Sequence, residues 1–174
     1  MGRGGRVSRA GGGAAASSTA VGRAMAVLAA GVRVRGVAVD HIAGARFERS
    51  GVVRVERAAG GLADCLILRE RSSVAGSGGL ARPAWNAERW SVGDAGTLEL
   101  AHLRFGPDRP VALAAFARWR WRRGWAEARS VAPHACGPDR YWCLVRLGAG
   151  AVEVRWRVLG PAARQTVVTL YTTA

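Results

Sequence analysis

Apolar and polar side chains alternate with a period of two along most of the chain. Val32 and Val34 alternate with Arg33 and Arg35, and Val53 and Val55 with Arg54 and Glu56. Within Leu62–Glu70, Leu66 and Leu68 share one face, and Cys65 and Ile67 the other. Leu98, Leu100 and His102 stand opposite Thr97, Glu99 and Ala101. Tyr141, Cys143, Val145 and Leu147 stand opposite Arg140, Trp142, Leu144 and Arg146. The cleanest run sets Val152, Val154, Trp156 and Val158 against Glu153, Arg155 and Arg157. Successive side chains of a strand leave opposite faces, so each run puts one face on a core and the other in water. Turn signals separate the runs, at Gly60-Gly61, Gly76–Gly79, Gly93-Asp94, Gly106-Pro107-Asp108, Gly148-Ala149-Gly150 and Gly160-Pro161. Eight or so strands at this spacing predict an all-β fold, an antiparallel sandwich or barrel, and the reading adopted is a single antiparallel β-barrel over residues 32–174.

Two stretches depart from the alternation. Val111–Arg129 is rich in Ala and Arg and has no β-branched residue after Val111, which fits a helix interrupted at Gly124. Trp119 and Trp121 nevertheless alternate with Arg118, Arg120 and Arg122, as in a strand. The reading adopted is a strand over Val111–Phe116, then a hairpin or short helix. Residues 1–31 carry the low-complexity run Gly11–Thr19, whose composition buries too little apolar area to offset backbone entropy. They are expected to form a disordered basic tail. Arg-rich, Ser-containing and acid-free composition also fits a transit peptide, with Val21–Val34 as a short presequence helix, against the plainer alternatives of a mis-assigned start or an unstructured tail.

Composition narrows the function classes. The chain has 174 residues, 49% of them hydrophobic, which excludes wholesale disorder. No run of eighteen apolar residues predicts a transmembrane helix. Three cysteines cannot complete a disulfide framework, which points to an intracellular, soluble protein: cytoplasmic, or mitochondrial in a eukaryote. The net charge of +14 comes from 26 Arg with no Lys, alongside one Asn and one Gln, a profile that GC-rich coding produces on its own. Six Arg and no acid lie in residues 1–35, against twenty Arg and twelve acids afterwards.

Three segments carry a more specific likeness: LELAHLRFGPDRP (98–110), PHACGPDRY (133–141) and WRVLGP (156–161). With Gly51, Glu70 and Trp90 as looser anchors, residues 37–171 resemble the uncharacterised family catalogued as domain of unknown function 6314. The matching positions are His102, Leu103, Arg104, Pro110 and Val111, then Pro133, His134, Cys136, Asp139 and Tyr141, then Trp156, Val158, Gly160 and Pro161. The resemblance implies a compact, lipocalin-like β-barrel with no assigned reaction. The family follows Gly-Pro with Arg-Lys-Asp, whereas Ala162, Ala163 and Arg164 stand here, and the Trp119–Trp125 insertion is long for it.

Three constellations hold chemistry. His134, Cys136, Asp139 and Tyr141 form the densest group. Zinc on His134 and Cys136 with His102 is one reading, although the paired ligand spacing of a structural site is missing. A Cys136 thiolate activated by His134 and oriented by Asp139 is a second, a hydrolase-type enzyme. Against it stands the expectation that an extended segment turns His134 and Cys136 apart. Turn and packing roles for the same residues are the third reading, and neither metal nor cofactor is expected. A barrel interior lined by Trp85, Trp90, Trp142 and Trp156 either fills itself or holds a ligand. His102 and Arg104 are expected on one strand face, with Glu70 as the acid a buried Arg104 requires. Finally, Arg118, Arg120, Arg122 and Arg123 interleave with Trp119, Trp121 and Trp125, the chemistry for gripping phosphates and stacking bases of RNA. The expected function is non-enzymatic binding of a small anionic or amphipathic ligand by His102, Arg104, His134, Tyr141 and Trp156, with RNA or ribonucleoprotein association through the Arg/Trp-rich segment 104–129 as the alternative.

Overall fold

A computed structural model describes residues 11–57, 65–76, 79–161 and 163–173. The expected turn at Gly60-Gly61, residues 62–64 and Ala162 lie outside this range. One helix, α1 (Gly11–Ala29), precedes twelve strands: β1 (Val32–Asp40), β2 (Ala45–Arg57), β3 (Cys65–Gly76), β4 (Arg82–Val92), β5 (Leu98–His102), β6 (Val111–Phe116), β7 (Arg120–Arg122), β8 (Trp125–Arg129), β9 (His134–Cys136), β10 (Asp139–Gly148), β11 (Ala151–Leu159) and β12 (Arg164–Thr173). A 3-10 turn, Asp94–Gly96, sits between β4 and β5. The fold is all-β and barrel-like. Short strands raise the number above the eight that alternation predicts.

The sheet runs β6-β5-β4-β3-β2-β1-β12-β11-β10-β8-β7, and β9 pairs with β10 off this path. Every pairing is antiparallel. β8 and β9 share one edge of β10, against Leu144–Leu147 and Asp139–Tyr141 respectively. The sheet curls until the link between them meets its far edge, where the Val131 N–H donates to the Ala115 carbonyl of β6 at 2.9 Å. The ambiguous segment is therefore a strand followed by a hairpin. Arg123 and Gly124 both take positive φ, 50° and 78°, in the two-residue turn between β7 and β8 that matches strand twist.

Inward positions follow the alternation. Trp90, Leu98, Leu100, Phe116, Val145 and Val152 are fully buried at one end of the interior. α1 covers that end and touches β1, β3, β10, β11 and β12. Its Ala20, Val21, Ala24, Met25 and Leu28, spaced along one helical face, join the same core. The sequence pattern places this stretch in a tail. The structure instead packs Ala20–Leu28 into the core, because small and apolar residues at helical spacing fit the mouth of a curled sheet. Among the described residues, no helix is long and apolar enough to cross a membrane.

Candidate functional site

At the other end the interior stays open. A cleft of about 360 Å³ is lined by inward side chains of β4, β5, β6, β9, β10, β11 and β12. His102, Arg104, His134, Tyr141 and Trp156, singled out on sequence grounds, all line it, and so does Cys136. Val111, Leu113, Val158 and Val167 complete an apolar wall around Trp156, while Glu88 and Gln165 add polar groups.

β9 and β10 bring the dense motif together as a hairpin. Tyr141 pairs with His134 and Asp139 with Cys136, so all four lie on one face. The expectation that an extended segment separates His134 from Cys136 fails on the strand's own period, because residues two apart share a face. The His134 and Tyr141 rings meet edge to face, with centroids 5.9 Å apart and planes at 67°. Burial pushes the Tyr141 phenol above its ordinary value, and the neighbouring Cys136 and Asp139 add to that, so it stays a hydrogen-bond donor at neutral pH.

Asp139 shares that face but does not line the cleft. Its carboxylate occupies the space that a Cβ at position 160 would fill, which explains glycine there. The Asp of one motif and the Gly of another thus meet in space. Asp139 Oδ1 is buried without a hydrogen-bond partner among the described residues, and no hydrogen bond links it to His134. Among the described residues, no group of three His, Cys, Asp or Glu side chains is arranged to hold a metal ion.

His102 ends β5 and the chain turns, so Arg104 does not continue its strand face. The Arg104 backbone N–H donates to His102 Nδ1 at 2.9 Å, which leaves the ring proton of the neutral form on Nε2. Arg104 is exposed and its guanidinium lies over the Phe105 ring, 4.7 Å from the centroid. The expected Arg104–Glu70 pair is absent. Glu70 is buried at 4% exposure and pairs instead with Arg49 at 3.3 Å, and Arg49 Nη2 also donates to Thr169 Oγ1 at 2.8 Å. Arg49 faces inward from β2 at the level of Glu70, whereas Arg104 has already left the sheet.

Glu88 escaped sequence reasoning. Its carboxylate accepts from Asn86 Nδ2 at 2.8 Å, from Trp90 Nε1 at 3.2 Å and from the Tyr171 hydroxyl at 3.2 Å. Parity was the available signal, since Glu88 lies two residues from inward Trp90. The same parity corrects the tryptophan expectation. Trp90 is core and Trp156 half-buried at the cleft, but Trp85 and Trp142 are 74% and 45% exposed on the outer face.

The Arg/Trp segment is sorted in the same way. Arg118, Arg120, Arg122 and Arg129 line a groove of about 770 Å³, and Arg123 is exposed at the turn beside it. Trp119 is buried, and Trp121 lies on the opposite face under the Arg23 guanidinium, 5.5 Å from its centroid. Trp125 is half-buried under Arg146 at 4.9 Å. None of these three tryptophans lines the groove.

The profile of the Family of unknown function (DUF6314) matches residues 29–173. The chain belongs to that family. The match begins at the end of α1, so it takes in the whole sheet and leaves the helix before it. Neither the curated proteins nor the solved structures give a match to this chain.

Proposed function

We propose that this member of the family binds a small amphipathic molecule in the open end of its barrel, without catalysis. The observation that supports this is the convergence of an apolar wall around Trp156 with His102, His134, Tyr141 and Gln165 in one cleft of about 360 Å³. Ligand pockets of about 300–1,000 Å³ with a few polar groups among apolar ones are the usual form of such sites. Glu88 in the floor disfavours a buried anion there, so a negatively charged head would sit outward, toward exposed Arg104. The apolar body would rest on Trp156 and Val167.

Titration with a panel of aromatic and fatty carboxylates, followed by heteronuclear NMR, tests this reading. The expected result is saturable shifts of the Trp156 indole and of the backbone amides of Val158 and Val167, with the affinity read from those amides falling about tenfold or more in Trp156→Ala and less in Arg104→Ala. Absence of saturable shifts across the panel at millimolar concentration would sink the reading.

A second reading rests on the four guanidiniums of the β7–β8 groove, none within ion-pair distance of a carboxylate among the described residues. Glu127 in the same groove is taken by Arg146 at 3.6 Å. This supports RNA association through phosphate contacts, without base stacking. Salt-sensitive retention on RNA, lost when Arg118, Arg120, Arg122 and Arg123 become Ala, is the expected outcome; retention unchanged in that variant removes it.

A further inference from the structure

The outer face of β2, β3 and β4 carries the combination that the Arg/Trp segment lacks. Val52, Arg71 and Trp85 are cross-strand neighbours in one row, and Arg54, Arg69 and Ala87 form the next. The Leu103 N–H donates to the Ala87 carbonyl at 2.8 Å, which brings Arg104 alongside the second row. The four arginines and Trp85 line one outer hollow of about 600 Å³. Trp85 is 74% exposed and Val52 62%, far beyond what an outward strand position requires of so large a ring. Of the charges, Arg54 and Arg69 share Glu56 at 3.4 and 3.1 Å. Arg71 and Arg104 have no carboxylate within ion-pair distance among the described residues.

We propose that this face binds single-stranded nucleic acid, with Trp85 as the base-stacking platform and Arg71 and Arg104 as phosphate contacts. Directly opposed side chains on neighbouring strands have Cβ atoms about 5 Å apart. One nucleotide therefore reaches both residues, its base on the indole and its phosphate on Arg71. A duplex hides its base faces, so an exposed indole gains nothing from it, whereas any unpaired base offers a ring surface. An apolar partner is disfavoured because binding it would strip water from Arg71 and Arg104 without compensation. The site shares Arg104 and His102 with the rim of the cleft but shares nothing with the lining of the β7–β8 groove; Trp85 and Arg71 belong to it alone, so their variants test it whether or not the cleft reading stands.

Fluorescence anisotropy of the full chain with a labelled single-stranded 12-mer, RNA and DNA in separate arms, tests the proposal. A duplex of equal length and heparin serve as competitors. Expected is single-strand binding that weakens with salt, falls about tenfold or more in Trp85→Ala, and loses about one unit of salt slope in Arg71→Ala. Trp85 is exposed, so its variant should keep the circular dichroism of the parent. Equal binding by Trp85→Ala, equal competition by duplex or heparin, or no binding at low salt would each overturn it. Loss of binding only when Arg118, Arg120, Arg122 and Arg129 become Ala assigns the contact to the groove and equally defeats the proposal.

Discussion

The two ends of the barrel interior are built from the same strands and solved differently. From the closed end toward the open one, inward Trp90 on β4 gives way to Glu88, and inward Leu100 on β5 to His102. On β10 buried Val145 gives way to half-buried Tyr141, and on β11 buried Val154 gives way to half-buried Trp156. α1 closes the first end with Leu28 and its neighbours, so that side chains pack to closure. Between the ends lies a polar layer, in which Arg49 holds Glu70, while Tyr171 and Trp90 hold Glu88. Alternation decides which way a side chain faces. Depth along the barrel, and what covers the end, decides whether it fills a core or lines a site.

The polar layer is where the division breaks most severely. Arg49→Met leaves Glu70 buried without its cation, and losing one partner of a buried pair costs about 3–5 kcal/mol. Urea unfolding should register that loss, and the double variant Arg49→Met/Glu70→Leu should recover most of it. A single-variant cost below about 1 kcal/mol would mean that the layer is wet and the interior undivided.

At the closed end, Leu28→Ala is expected to cost about 2–5 kcal/mol, the range for a fully buried leucine. The indole resonance of Trp156 should stay where it was. Unchanged stability would return α1 to the status of a tail that merely touches the sheet.

Much of this division was legible in the residues. Period two alone sorts the inward sets of β5, β10 and β11, and residue type and motif draw attention to His102, Arg104, His134, Tyr141 and Trp156, which line the cleft. Glu88 is a lone acid in a run of mixed polarity, and only the strand's phase marks it as inward. The size of Trp85 and Trp142 suggests an interior place, although their strand phase opposes it. Alternation continued past His102 would bring Arg104 to Glu70, but the chain turns there, which no residue pattern announces. The helix face at Ala20–Leu28 was hidden within a glycine- and alanine-rich stretch, whose burial depends entirely on having a sheet mouth to enter.

Alkaline pH probes the boundary more gently. Burial raises both the Cys143 thiol and the Tyr171 phenol, with the Glu88 charge adding to each. Folded, both groups hold their protons more tightly than unfolded. Their contribution is therefore complete below the ordinary thiol value of 9.0; its loss begins as pH passes that value and the ordinary phenol value of 10.0 and continues until the raised folded values are reached. Each group adds about 1.4 kcal/mol of lost stability per pH unit once the unfolded chain ionises. Tyr171→Phe should remove the phenol's share of that slope. An unaltered slope would show that Tyr171 reaches solvent through the cleft.

The sharpest comparison uses one substitution at both ends. Val145 is fully buried on β10, whereas Val167 is half-buried on β12 against the cleft. Val→Ala removes two methyl groups in each case, worth about 1–2 kcal/mol of transfer free energy when the side chain is fully buried. At Val145 the vacated space is enclosed by close-packed neighbours, so a cavity penalty adds and the total should reach about 2–3 kcal/mol. At Val167 water already reaches the wall, so part of the transfer term was never gained and no closed cavity forms; about 1 kcal/mol or less is expected. Chemical denaturation of the two variants measures the difference. Equal losses would mean that the cleft closes around its own side chains in solution, and the binding reading would lose the space it depends on. A loss confined to Val145, joined by altered ligand affinity in Val167→Ala, would instead locate stability at the helix end and recognition at the open one.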